Sequence, residues 1–510
     1  MLVKIILLLL FFGCMIAVGL YARKSANSMT DFVLGGRSVG PWLSAFAYGT
    51  SYFSAVVFVG YAGQFGWKYG LASTWIGLGN AVIGSLLAWV AMGRRTRVMT
   101  HHLEVATMPD FFGRRYDSNV IKIIASAIAF VFMIPYTASV YNGLSRLFGM
   151  AFDIPYTVCV ITMAVLTGVY VILGGYMATA INDFIQGIIM LFGIVAVIGA
   201  VLSGQGGFLE AVRKLSELPS DVPVTMGQQG AFASFFGTDP LNLLGVIILT
   251  SLGTWGLPQM VHKFYAIKSE KAIKTGTIVS TFFAVIVSGG CYFLGGFGRL
   301  FDAEALYKAD GSVMYDAIVP SMLSTLPDLL IGVVIILVLS ASMSTLSSLV
   351  LTSASTLTLD FIKGNIVKEM NDKKQLIYIR VLIVFFIVIS VVLALNPPTF
   401  IAQLMGISWG ALAGAFLAPF LYGLYWKGVT RAGVWASFLC GVGITVSNMF
   451  FKFIASPINA GAAAMIAGLI ITPVVSLVTP KINAAFVNKI FQCYDNTAKV
   501  SSKEYLKEEA

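Results

Sequence analysis

Charge is what this 510-residue sequence has least of. Asp, Glu, Lys and Arg make up 11% of it, against about 25% in a soluble domain. A deficit spread over the whole length leaves too little charge to cover a water-facing surface, so lipid must be the main solvent. Histidine is nearly absent: His101, His102 and His262 are all expected in cytoplasmic loops, which supplies no buried catalytic base. Five scattered cysteines (Cys14, Cys159, Cys291, Cys440, Cys493) include no C-x-x-C and point to neither a metal centre nor a disulfide framework. There is no H-E-x-x-H and no nucleophile–base pair inside an apolar segment, so the chain is expected not to be an enzyme. The tail after residue 480 is expected to be too short for a signalling output domain, which counts against a nutrient sensor.

What is present is apolar. Hydrophobic residues make up 58% of the chain and the mean hydropathy is +0.87. A helix needs about 20 mostly apolar residues to cross a bilayer. Such stretches fall at 3–22, 41–66, 71–93, 120–149, 156–174, 177–203, 240–261, 275–298, 324–358, 376–396, 400–425, 432–453 and 461–479. The expectation is an all-α integral membrane protein of about thirteen spans. The first is read as a helix rather than a leader peptide, because it runs long and no convincing A-x-A site follows.

Net charge is +10, and its placement argues against a nucleic-acid partner. Arg and Lys collect in alternate loops: Arg23, Lys24 and Arg37; Arg94, Arg95, Arg97, Arg114 and Arg115; Lys263, Lys268, Lys271 and Lys274; Lys363, Lys368, Lys373 and Lys374; Lys427 and Arg431. The tail adds Lys481, Lys489, Lys499, Lys503 and Lys507, whereas the opposite side has only Lys4, Lys68, Arg213, Lys214, Arg299, Lys308 and Lys452. Positive loops stay inside. The N-terminus is therefore expected outside and the C-terminus in the cytoplasm of a cell (inner) membrane, which an odd number of spans permits.

Costly features inside spans mark candidate sites. Around Gly49 the second span carries the hydroxyls of Tyr48, Thr50, Ser51, Tyr52 and Ser54, so a helix there unwinds easily. The seventh carries Thr250, Ser251, Gly253, Thr254, Trp255, Gly256 and Pro258. Each break falls in the first span of a group of five, and broken helices at matching positions of two halves mark transporter sites; ordinary Gly/Pro kinking is the alternative. In the ninth span, seven of the nine residues from Ser340 to Ser348 are Ser, Thr or Ala. A face of hydroxyls gives a hard cation the oxygen ligands it wants, although Ser and Thr also hold helices together. Asp183 is close to being the only carboxylate in apolar surroundings. Such a residue is functional by default, unless it caps the sixth span. No charged ring or filter-like repeat favours a channel or a uniporter.

Five stretches together resemble the sodium/solute symporter family, with its closest flavour in the bacterial sodium/proline symporters. They are Asp31-Phe-Val-Leu-Gly-Gly-Arg37, Met108-Pro-Asp-Phe-Phe-Gly-Arg-Arg115-Tyr, Gly174-Gly…Asn182-Asp183…Gln186, Ala341-Ser-Met-Ser-Thr345 and Leu424-Tyr-Trp-Lys427-Gly-Val-Thr-Arg431-Ala-Gly. The resemblance implies thirteen helices around a leucine-transporter-like core of two inverted five-helix repeats. The organisation expected is 1–40, an extra helix and loop; 41–203, the first repeat; 204–239, an external loop; 240–453, the second repeat; 454–480, a last helix; and 481–510, a cytoplasmic tail.

The resemblance also implies a principal sodium site. Its ligands would be the carbonyls of Thr50, Phe53 and Ala341 and the hydroxyls of Ser344 and Thr345. Asp183, Ser347 and Ser348 match a second sodium site that some members have. Solute would lie among Gly49, Ser51, Tyr52, Ser54, Thr250, Thr254, Trp255 and Pro258. This chain departs from proline carriers where Tyr52 replaces an aspartate and where Thr250 and Thr254 replace a tryptophan and a tyrosine. The implied activity is sodium-coupled symport of a small organic solute, proline first, with a monocarboxylate, pantothenate or a sialic acid as alternatives. Sodium is co-transported, no organic cofactor is implied, lipid is the other partner, and a monomer is the simplest assembly.

Overall fold

A computed structural model describes residues 2–25, 28–152, 155–363, 365–367, 369–396 and 401–495. Lys368, Lys499, Lys503 and Lys507 of the charge pattern lie outside the described residues. Among the described residues the secondary structure is helical, with three isolated bridges and no strand. The first part of the chain forms α1 (Leu2–Ala22), α2 (Met29–Leu34), α3 (Pro41–Tyr52), α4 (Ala62–Tyr69), α5 (Thr74–Gly79), α6 (Arg94–His102), α7 (Met108–Tyr116), α8 (Asn119–Phe152), α9 (Tyr156–Gly204) and α10 (Phe208–Glu217). The second forms α11 (Pro240–Gly256), α12 (Pro258–Tyr265), α13 (Glu270–Ala284), α14 (Gly290–Gly295), α15 (Tyr315–Ser324), α16 (Asp328–Thr356), α17 (Asp372–Leu395), α18 (Ile401–Tyr425), α19 (Arg431–Phe451) and α20 (Pro457–Val478).

Among the described residues, ten helical runs are long and apolar enough to cross a bilayer, or eleven when the bent pair α11/α12 counts as one span. Hydropathy gives about thirteen segments, and the two counts diverge where runs merge or fall short. At 49 residues, α9 is roughly 70 Å long at 1.5 Å per residue, more than twice the bilayer core of about 30 Å. It breaks at Gly175, whose φ of 54° and ψ of −146° leave the helical region. A Cβ there would lie 2.6 Å from the Phe32 carbonyl oxygen, so only glycine fits this turn. The run Val56–His102 likewise contains a left-handed turn at Gly70 (φ 62°). Conversely, α3 has only 12 residues, because the second span is interrupted.

That interruption and its counterpart share one backbone conformation. After α3, Phe53 is extended at φ −88°, ψ 123°; between α11 and α12, Leu257 is extended at φ −84°, ψ 121°. The first break thus falls four residues beyond Gly49, which stays helical because its bare Cα receives the Phe283 ring; a Cβ would come 2.6 Å from it. Pro258 opens α12 at a position that needs no N–H. Around the two breaks, α16 and α18 are buried almost throughout, whereas α1, α17 and α19 leave much of their surface for lipid.

One end of the bundle is knitted by the motifs around Arg37, Arg115 and Arg431. The Ser28 side chain and Asp31 cap α2 reciprocally, and Arg37 then reaches the Val105 carbonyl at 2.7 Å. Buried Arg115 donates to the carbonyls of Gly423 (2.9 Å) and Trp426 (3.0 Å). Arg431 donates to the Tyr116 carbonyl and to Asp117, both at 2.8 Å. At the other end, Arg299 holds the 204–239 loop through two bonds to Asp221 (2.6 and 2.9 Å) and one to the Trp67 carbonyl (2.8 Å).

Candidate functional site

A helix that stops inside a protein leaves its last carbonyls without partners. Here α3 stops beside the serine-rich face of α16, which supplies hydroxyls in their place. Ser344 Oγ donates to the Thr50 carbonyl at 2.8 Å and lies 3.3 Å from that of Ala341. Thr345 Oγ1 lies 3.1 Å from the Phe53 and Ala341 carbonyls, 3.3 Å from that of Ser51 and 3.5 Å from that of Thr50. One hydroxyl proton cannot serve four acceptors at once, so these oxygens form a convergent cluster rather than a set of satisfied pairs. Thr50, Phe53, Ala341, Ser344 and Thr345 are all buried. No member carries a charge. Five oxygens converging on one point suit a hard monovalent cation; sites for an ion of calcium's size place oxygens about 2.3–2.6 Å away.

Beside this cluster, Ser51 Oγ meets Ser348 Oγ at 2.8 Å. Lys263 Nζ donates to the same Ser348 hydroxyl at 2.9 Å and pairs with Asp183 Oδ2 at 3.6 Å. Lys263 and Asp183 are both buried. This removes one alternative and corrects the loop placement and the near-uniqueness of Asp183. Asp183 does not cap a helix: it lies within α9, eight residues past the Gly175 break. Lys263 and His262 are not loop residues: α12 runs two turns beyond Pro258 and carries both into the core, where the His262 ring centroid lies 5.5 Å from that of Tyr176. Nor is Asp183 alone, since Asp360 is also buried and accepts from Thr107 Oγ1 at 2.6 Å. Ser347 is close by, but its hydroxyl turns back to the Ser344 carbonyl at 2.9 Å.

A third cluster surrounds the break in α3. Tyr52 and Tyr136 each lie 5.8 Å, centroid to centroid, from Trp409 of α18. Tyr61 and Tyr292 approach the same point. Among the described residues, the hydroxyls of Tyr52, Tyr61, Tyr136 and Tyr292 and Nε1 of Trp409 are buried and make no well-formed hydrogen bond, although Tyr136 faces Trp409 and Ser54, and Tyr52 faces Tyr292 and Ser288. Buried polar groups are nearly always paired, and these pair at best loosely with one another, which leaves hydrogen-bonding capacity here for a guest. Ser54 belongs here too, facing Tyr136. One turn beyond Tyr61, Gln64 lines a cavity of about 560 Å³ that opens beside Trp67, Asp221 and Arg299.

The other solute candidates are dispersed. Ser51 joins the Ser348 cluster. Thr250 bonds back to the Val246 carbonyl at 2.9 Å. Thr254 reaches the Gly84 carbonyl at 3.0 Å, and Trp255, half-buried, donates to that of Ile83 at 2.9 Å. Gly49 packs against Phe283 and Pro258 starts α12. Sequence reasoning missed Tyr61, Tyr136, Tyr292 and Trp409, since an aromatic in an apolar run looks like lipid-facing or core packing. It also missed Lys263, for which one signal existed: a lysine just past a helix break, in a chain with a mid-span aspartate, completes a charge pair.

A profile of the sodium:solute symporter family matches residues 32–441. The chain belongs to that family. Sodium/proline symporters of Staphylococcus aureus strains, JH9 and COL among them, are 30% identical to it over 500 residues, spanning 94% of this chain and 92% of theirs. Among solved structures, it resembles a Na+-coupled sialic acid symporter in a substrate-bound outward-open state, with a TM-score of 0.77 at 16% identity, covering 94% of this chain and 98% of that one. It also resembles Mhp1, a nucleobase-cation-symport-1 transporter captured closed with bromovinylhydantoin, with a TM-score of 0.55 at 13% identity, covering 91% and 98%. At these identities the structural likeness speaks for the fold, a helical symporter core of the leucine-transporter type in a multi-pass membrane protein.

Proposed function

We propose that this protein imports a small organic solute on a sodium gradient, and that sodium binds the cluster of Thr50, Phe53, Ala341, Ser344 and Thr345. The observation that carries the reading is the meeting of carbonyls freed by the break in α3 with two hydroxyls of α16. An ion there ties the two helices together and shapes the aromatic pocket beside them. Asp183, Ser347 and Ser348 make up an adjoining polar set. The breaks at Phe53 and Leu257, in the first helices of segments 41–203 and 240–453, act as the moving joints, with 204–239 as an external cover, the N-terminus outside and the C-terminus in the cytoplasm.

Tyr52, Tyr61, Tyr136, Tyr292 and Trp409 offer hydrogen-bond donors and apolar faces but no charge. A carboxylate on a compact, partly apolar body fits that chemistry. The names of the Staphylococcus relatives make proline the first solute to test. Sodium must bind the outward form more tightly than the inward form, since a ligand shifts an equilibrium only by its differential affinity. The test is uptake of radiolabelled proline into proteoliposomes under an inward sodium gradient, with potassium as control. Sodium-dependent accumulation is expected. Equal uptake in potassium would refute sodium coupling, and no uptake in either would remove proline.

A further inference from the structure

The Lys263 ammonium lies in the middle of the adjoining polar set. It is attached to α12, the second half of the broken pair, and reaches α16 through Ser348 (2.9 Å) and α9 through Asp183 (3.6 Å). The Tyr176 ring covers it at 5.1 Å. The pair is sealed from solvent, and Asp183 accepts no hydrogen bond among the described residues. It has no other cation beside it in that set.

We propose that Lys263 is this transporter's resident second cation: its ammonium fills the place a second sodium would take between Asp183 and Ser348, and so limits the transporter to one sodium ion per cycle. The proposal rests on the sodium-symport reading above. An ammonium has three donors and no acceptor, which suits a carboxylate and a serine oxygen as well as a sodium ion would. A sodium ion coordinated by the same oxygens would lie within about 4 Å of a fixed positive charge, and like charges at that range disfavour each other. Lysine differs from a bound ion in one respect that matters: it cannot leave. It neutralises Asp183 in every state and carries nothing down the sodium gradient. It also remains linked to the principal site, because Ser348 Oγ meets Ser51 Oγ at 2.8 Å and Thr345 Oγ1 lies 3.3 Å from the Ser51 carbonyl.

The test counts sodium ions directly. Purified wild-type protein titrated with ²²Na⁺ in choline buffer, without solute, is expected to saturate at one ion per protein. Lys263→Ala is expected to saturate at two, and Lys263→Met combined with Asp183→Asn at one. Two ions on the wild type would overturn the proposal while leaving sodium symport intact. One ion on folded Lys263→Ala would overturn it as well. If Lys263→Ala fails to fold, the wild-type count still decides. No saturable ²²Na⁺ on the wild type would defeat the sodium reading itself, a result distinct from the other two.

Discussion

Ser344→Ala tests the principal site most directly, and the structure sets the expected size of its effect. Ser344 provides one of five converging oxygens, and only it and Thr345 contribute through a side chain. A hydrogen bond to a charged group is worth about 1.5–3 kcal/mol; taking that as the scale of one lost ion–oxygen contact, the half-saturating sodium concentration should rise roughly 10- to 150-fold at 1.4 kcal/mol per decade. The Thr50 carbonyl that Ser344 serves keeps only the shared Thr345 Oγ1 at 3.5 Å, so the cost to the fold is about 1–3 kcal/mol, that of a buried acceptor left poorly satisfied. The assay is ²²Na⁺ binding to purified protein with thermal unfolding measured alongside. The control is Ser353→Ala, on the same helix, whose hydroxyl meets the Met133 sulfur at 2.9 Å. A shift in sodium affinity under threefold, or an equal shift in the control, would refute the assignment.

Two further outcomes follow from the other clusters. Tyr52→Phe deletes a buried hydroxyl that makes no well-formed hydrogen bond among the described residues, so thermal stability should change little, while proline uptake should fall about tenfold or more for the loss of one donor to a carboxylate and sodium affinity should not move; lowered stability with unchanged uptake would show the hydroxyl to be structural. In the 204–239 loop, burial pushes the Asp221 carboxyl up, but the bonds and charge of Arg299 outweigh it and leave its pKa below the ordinary carboxylate value. A depressed folded-state pKa gives stability that is present above the unfolded value, about 3.9, and lost as pH falls through the folded one; hydrogen-exchange protection across 204–239, relative to the unfolded rate at each pH, should therefore hold from neutral pH to about 5 and fall below about 4, and unchanged protection in Asp221→Ala at pH 7 would remove Arg299–Asp221 as the clamp.

The sequence was legible wherever one residue's type carried the information. Gly253, Gly256 and Pro258 marked the second broken span, while in the first the hydroxyl-rich run around Gly49 came within four residues of a break that itself holds neither glycine nor proline. The hydroxyl run on α16 marked the oxygen face. What could not be read was pairing between distant segments. Hydropathy ended the seventh span before Lys263, because Gln259, His262 and Lys263 lower the local average; only the fold shows that α12 continues into the core and that Asp183 waits there. Tyr136 and Trp409 sit in long apolar helices with nothing local to set them apart from packing residues. Their orphaned polar atoms become visible only once α8 and α18 are placed against α3.

The neutrality of the principal oxygen cluster has an electrical consequence. Its five oxygens are carbonyls and hydroxyls, and Asp183, in the adjoining polar set, already has its counter-charge in Lys263. If sodium binds there as proposed, it brings its charge uncompensated, and the loaded carrier is one unit more positive than the empty one. Membrane potential, worth about 2.3 kcal/mol per charge per 100 mV, then acts on the loaded inward stroke, while the empty return stroke crosses nearly free of the field. Voltage would therefore set how fast solute enters, and the unloaded reset would set the ceiling on turnover.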